Sequence, residues 1–179
     1  SELDVDYAEH LPLVTESMLL DVTRAGDTLV AVGERGHAIH SHDNGATWTQ
    51  AEVVPTRATL TTVTYRDGRL WAGGHDATII TSGDGGNTWT LQFADQERQQ
   101  AVMDIFFTDE DNGVAIGAYG SYYETTDGGT SQGQSTGLGG GQGGQEGAPR
   151  SPTGLPNLTF VDPNAPGNAG KQAAGGNSR

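Results

Sequence analysis

The sequence predicts an all-β fold: about three β-propeller blades, each a sheet of four antiparallel strands, followed by a disordered Gly-rich tail. Three observations predict it. The octapeptide SHDNGATW at residues 41–48 returns as SGDGGNTW at 82–89, with Asp84 41 positions after Asp43, and returns again, incomplete, as TTDGGTSQ from Thr125. Four strand-like segments recur in register around each copy. No segment holds a 3.6-residue apolar period for more than two turns, so almost no helix is expected.

The first strand of each unit is LLDV from Leu19, LTTV from Leu60 and VMDI from Val102. Its apolar positions coincide across the copies, with Asp21, Thr62 and Asp104 between them. The second reads LVAVG, LWAGG and GVAIG, with Ala31, Ala72 and Ala115 in register, and small residues at a fixed strand position predict close sheet-on-sheet packing. Gly26-Asp27, Asp67-Gly68 and Asp111-Asn112-Gly113 precede these segments as hairpin turns. The third strands are HAIHS, TIITS and SYYET, and the fourth begin at the tryptophans, WTQAEVV and WTLQF. Blades are therefore placed at about 16–53, 58–94 and 100–130, after an N-terminal extension at 1–15.

The octapeptide reads as a staple between strands three and four. Asp43 or Asp84 folds its carboxylate onto turn N–H groups, Gly45 or Gly86 supplies positive φ, and Thr47 or Thr88 adds a side-chain bond. Ser41 and Ser82 open the motif, and Trp48 and Trp89 close it by burying a large ring. The third copy keeps Asp127 and Gly129 but has Gln132 where the tryptophan would stand. Residues 131–179 are rich in Gly, Gln and Pro, with Phe160 as their single aromatic residue. Such a stretch cannot bury enough apolar surface to offset about 1–2 kcal/mol of backbone entropy per residue. A short apolar island around Leu155, Leu158, Phe160 and Val161 interrupts it.

Net charge is -14 and Lys171, in the tail, is the only lysine, which argues against nucleic acid and against docking on anionic lipid. With Cys 0 there is no disulfide framework, thiol nucleophile or thiolate metal site. No apolar run approaches the roughly 20 residues that cross a bilayer, so no direct membrane insertion is expected, and no signal peptide is recognisable. The acidic run 109–113 fails calcium-loop spacing, because Val114 stands where the loop glycine belongs. His37, His40 and His42 have no carboxylate to complete a site, so neither a metal nor a cofactor is expected.

These motifs resemble the Asp-box, or bacterial neuraminidase repeat, of approximate pattern Ser-x-Asp-x-Gly-x-Thr-Trp. The units VGERGHAIHSHDNGATW, GGHDATIITSGDGGNTW and IGAYGSYYETTDGG are most similar to the photosystem II stability and assembly factor family. That resemblance implies a non-enzymatic protein-binding or assembly module whose client is a membrane protein or envelope complex. Photosynthetic members often carry an arginine just before the motif's opening Ser or Thr, whereas this chain has His40, Thr81 and Glu124. It is thus more similar to bacterial relatives in a periplasmic or otherwise exported setting, or to an accessory subunit of an envelope transporter.

A sialidase-like glycosidase is the enzymatic alternative. It needs an arginine triad and a Tyr/Glu pair, but Arg24, Arg35, Arg57, Arg66, Arg69 and Arg98 fall mostly in turns. Tyr122, Tyr123 and Glu124 are adjacent, and neighbours along a strand face opposite ways. The expected partner-binding positions are the second turns, Glu34-Arg35, His75-Asp76 and Ala118-Tyr119, which vary between glycines on a rigid scaffold. Three blades leave two outer sheet faces, which predicts self-association.

Overall fold

The computed structural model describes residues 5–97, 99–129 and 159–160. They form three four-stranded antiparallel sheets. Blade one comprises β1 (Leu19–Ala25), β2 (Thr28–Gly33), β3 (Ala38–Ser41) and β4 (Thr49–Gln50). Blade two comprises β5 (Leu60–Arg66), β6 (Arg69–Gly74), β7 (Ile79–Ser82) and β8 (Thr90–Phe93). Blade three comprises β9 (Val102–Phe107), β10 (Asn112–Gly117), β11 (Tyr122–Thr126) and β12 (Thr159–Phe160). Within each sheet the strands pair in chain order. The all-β, repeated-sheet architecture is the one the sequence predicts. Helical structure among the described residues is confined to the 3-10 turns Val14–Glu16, Glu34–Gly36 and Ala118–Gly120.

Alternation along each strand builds two interfaces. Val30, Val32 and Ala38 on one face of blade one pack with Leu60, Val63, Ala72 and Ile80 of blade two. Trp71 and Ile79, on the far face of blade two, pack with Val102, Ile105, Ala115 and Tyr123 of blade three. The same sequence positions thus recur in each interface, because a strand shows alternate residues to opposite faces. We call the face that meets the preceding blade the leading face and the other the trailing face. Trp71 stacks on Phe107 across the second interface, centroids 3.6 Å apart and planes 14° from parallel.

Two strand boundaries differ from the sequence expectation. In WTQAEVV only Thr49 and Gln50 form β4, because Ala51 and Val54 turn away to bury against blade two. That linker then bonds to blade two's turn, Glu52 N donating to Asn87 O (2.7 Å) and Trp89 N to Val53 O (2.9 Å). The third hairpin lies at 108–111, with Asn112 and Gly113 already in β10. Asp109 Oδ1 fixes it by accepting from Asp111 N (2.9 Å) and Asn112 N (2.8 Å).

The N-terminal extension is also part of the packing. Val14 and Leu11 cover Ala31 and Ile39 on the leading face of blade one. Leu11 N donates to Gln50 Oε1 (2.9 Å), and Gln50 Nε2 donates to Glu9 O (2.7 Å). At the other end, the expected disordered tail lies outside the described residues except for β12. There Thr159 and Phe160 pair with Glu124 and Tyr123 as the fourth strand of blade three.

Candidate functional site

Antiparallel order sorts the loops of each blade to two ends. The β1–β2 type hairpins and the aspartate turns share one end, and the second turns and inter-blade linkers share the other.

At the first end, the aspartate carboxylates face inward on their own turns. Asp43 Oδ1 accepts from Ser41 Oγ (2.8 Å) and Thr47 N (2.8 Å), and Oδ2 accepts from Thr47 Oγ1 (2.6 Å). Ser41 Oγ in turn accepts from Gly45 N (2.8 Å). Asp84 repeats the pattern with Ser82 (2.8 Å), Thr88 N (2.9 Å) and Thr88 Oγ1 (2.5 Å). Gly45 (φ 88) and Gly86 (φ 91) take the left-handed conformation that this wrap requires. Bonds from the Thr47 side chain and backbone and from Ser41 hold Asp43 at a pKa of about 2. Burial alone would raise Asp84, but bonds from Thr88, Ser82 and Asn87 outweigh it and lower the pKa. In the third turn Asp127 Oδ1 accepts from Thr125 Oγ1 (2.9 Å) and Gly129 N (3.1 Å). Trp89 is buried, with Nε1 donating to Gly86 O (2.9 Å), while Trp48 is half-buried. Acceptors already satisfied inside a turn are poorly disposed to take up a proton or a ligand.

The opposite end carries the residues whose chemistry changes from blade to blade. Arg35 (φ 54), Asp76 (φ 56) and Tyr119 (φ 57) occupy equivalent positions, and all three are left-handed non-glycine residues. Such a conformation costs about 1–2 kcal/mol for an L-residue. The surrounding turns enforce it. Glu34 N donates to Met18 O (2.9 Å), His75 N to Thr59 O (2.9 Å) and Ala118 N to Ala101 O (2.9 Å). Glu34 also accepts from Met18 N through Oε1 (2.9 Å), so its carboxylate positions the turn. Arg35 and His75 are exposed, Asp76 is half-buried, and Tyr119 is 91% exposed. Beside blade two's turn lies a cavity of about 280 Å³, lined by Asp6, Thr56, Arg57, Asp76, Thr78 and Gln96 among others. Arg57 is held there by Glu9 (3.1 Å) and Asp6 (3.8 Å).

Other residues singled out from the sequence are placed differently. Of the residues just before the Ser or Thr that opens each motif, His40 and Thr81 are buried between blades and Glu124 in blade three is exposed. Burial pushes His37 and His40 below the ordinary histidine pKa. His42 Nδ1 lies 3.0 Å from Thr28 Oγ1, and its ring meets that of His40 at 5.2 Å. Tyr122 and Glu124 form a pair that adjacency along the chain concealed. Two residues apart, they share a strand face, and Tyr122 Oη donates to Glu124 Oε1 (2.7 Å). That bond raises the Tyr122 pKa, the reverse of what a phenolate nucleophile needs. Arg98 lies outside the described residues.

No family model matches the chain, and no curated protein does. Solved structures are similar to it, two of them structures of YCF48. One, described as YCF48 bound to D1 peptide, is 22% identical with a TM-score of 0.58, over 72% of this chain and 44% of that chain. The other, YCF48 from Cyanidioschyzon merolae, is 22% identical with a TM-score of 0.55, over 68% of this chain and 38% of that one. The chain thus spans about two fifths of the length of the structures it matches. At this identity the likeness concerns the fold.

Proposed function

We propose that this chain is a non-enzymatic protein-binding module. In this reading the end bearing Glu34, Arg35, His75, Asp76 and Tyr119 docks a segment of a protein client within the cell envelope. One observation carries it: three equivalent turns on a rigid scaffold each hold a non-glycine residue in a left-handed conformation, and these project a cation, an anion and a phenol. Strain retained at exposed turns whose side chains differ from blade to blade is the pattern of a recognition surface. A YCF48 structure that shares the fold has a D1 peptide bound, which supports peptide recognition as a use of such sheets. The octapeptides then act as Asp-boxes, structural staples at the end away from the client. The Tyr122–Glu124 pair, with its raised tyrosine pKa, does not favour a glycosidase.

The test is capture of envelope membrane proteins by the full chain, compared with the Arg35→Ala/Tyr119→Ala variant. Both side chains are exposed, so melting should be unchanged while capture of a specific protein falls about tenfold. Equal capture by both proteins would remove the turns from recognition. Hydrolysis of a fluorogenic sialoside that is lost in Tyr122→Phe would replace the binding module with an enzyme.

A further inference from the structure

The chain displays twice, internally, what seats on the trailing face of one of its blades. Val32 in blade one is 0% exposed because the leading face of blade two covers it, whereas its equivalent in blade three, Ile116, is 48% exposed. Ile116 lies between its cross-strand neighbours Tyr122 and Asp104, with Val114, Phe106 and Glu124 beside them, an apolar surface that carries two carboxylates. The complementary surface is exposed in part at the other end of the chain, around Val22. Val63 and Ile105, on the leading faces of blades two and three, are 5% and 4% exposed, but their equivalent in blade one, Val22, is 57% exposed. On that face Val14 and Leu11 cover Ala31 and Ile39 and leave Val22 exposed. Val14 stands at the repeat position of Pro55, in the linker that precedes blade two, so it occupies a place each blade's own linker already takes.

We infer that copies of this chain associate head to tail, the trailing face of blade three in one copy seating on the leading face of blade one in the next. The contact is heterologous, so it either closes or propagates. Two copies bring together twice the three sheets of one chain, a blade number within the range of about 4–8 over which propellers close. Charge fits this polarity. Arg24 of blade one holds the repeat position of Phe107, which lies over Trp71 in the preceding blade. The equivalent of Trp71 in blade three is Val114, whose cross-strand neighbour is Glu124. Docking therefore carries the exposed Arg24 onto Val114 beside the exposed Glu124. A blade-three to blade-three contact would instead bring Asp104 and Glu124 against their own copies. The recognition turns lie at the blade ends and stay free, so this inference does not rest on the client-binding reading.

Sedimentation equilibrium of the full chain tests it. The expected species has twice the 18.6 kDa of one chain. Val22→Asp and Ile116→Asp should each weaken association by about tenfold or more while leaving the circular dichroism of the single chain unchanged, since both side chains face solvent there. Mixing these two variants restores one contact per pair, because each supplies the intact face the other lacks, and so recovers part of the association. Arg24→Glu weakens the pair and Arg24→Glu/Glu124→Arg recovers it. A single 18.6 kDa species at every concentration overturns the inference. So does a pair insensitive to Ile116→Asp, and so does one broken by Ile116→Asp but indifferent to Val22→Asp, the mark of a blade-three to blade-three contact.

Discussion

Asp43 and Asp84 show how a charged side chain serves a fold from its surface. Each carboxylate takes three or more short bonds from within a single turn, so its negative charge is matched by fixed N–H and O–H dipoles. For Asp43 the folded pKa of about 2 lies below the ordinary 3.8. Protonation must then break bonds that the unfolded chain lacks. The carboxylate's contribution to stability is therefore fully present above pH 3.8 and is lost as pH falls through about 2. Asp43→Asn should flatten the fall in melting temperature between pH 4 and 2 and lower melting at neutral pH. Identical pH profiles for the variant and the parent would show that the turn holds without the charge.

At the scale of the strand, one glycine sets how each sheet begins. Gly33, Gly74 and Gly117 end the second strands in extended backbone, where any residue is conformationally allowed. What excludes a side chain is space. A Cβ on Gly74 would lie 2.0 Å from Thr59 O, and one on Gly33 would lie 2.0 Å from Met18 O. These are the residues just before the first strands, which bulge at this point. Gly74→Ala should destabilise the chain by about 3 kcal/mol, measured by urea unfolding, because the clash is with backbone that cannot rotate away. A loss of under about 1 kcal/mol would mean that the bulge shifts freely. Sequence pattern located these strands because β-branched and aromatic runs recur between Gly-Asp turns. It extended β4 too far, since Ala51 and Val54 are as apolar as strand residues but bury against the next blade. It marked the apolar island around Phe160 but not its pairing as β12, because Thr159 and Phe160 lie far along the chain from the strand they pair with.

For the whole molecule, stability resides in the two inter-blade interfaces as much as in the sheets. Trp71 is the clearest case, fully buried, stacked on Phe107 of blade three and donating through Nε1 to Gly128 O at 3.3 Å. Trp71→Ala should cost about 3–5 kcal/mol. Because repeat stability combines blade and interface terms, blade three should melt before blades one and two in that variant. Hydrogen exchange would resolve the two steps, and uniform loss of protection across all three blades would contradict this division.

The repeat by itself determined the all-β class, the strand order within each blade and the inward-facing aspartate turns. Each of these follows from contacts between residues close in sequence, where alternation and turn chemistry act directly. Which face of a blade meets its neighbour was decided only in three dimensions. So was the burial of His40 and Thr81, and the meeting of Tyr122 with Glu124. Those outcomes depend on how sheets stack and on which side chains share a face. The apolar positions on the two faces of a blade look alike in sequence, and packing alone leaves Val22 and Ile116 exposed while burying their equivalents.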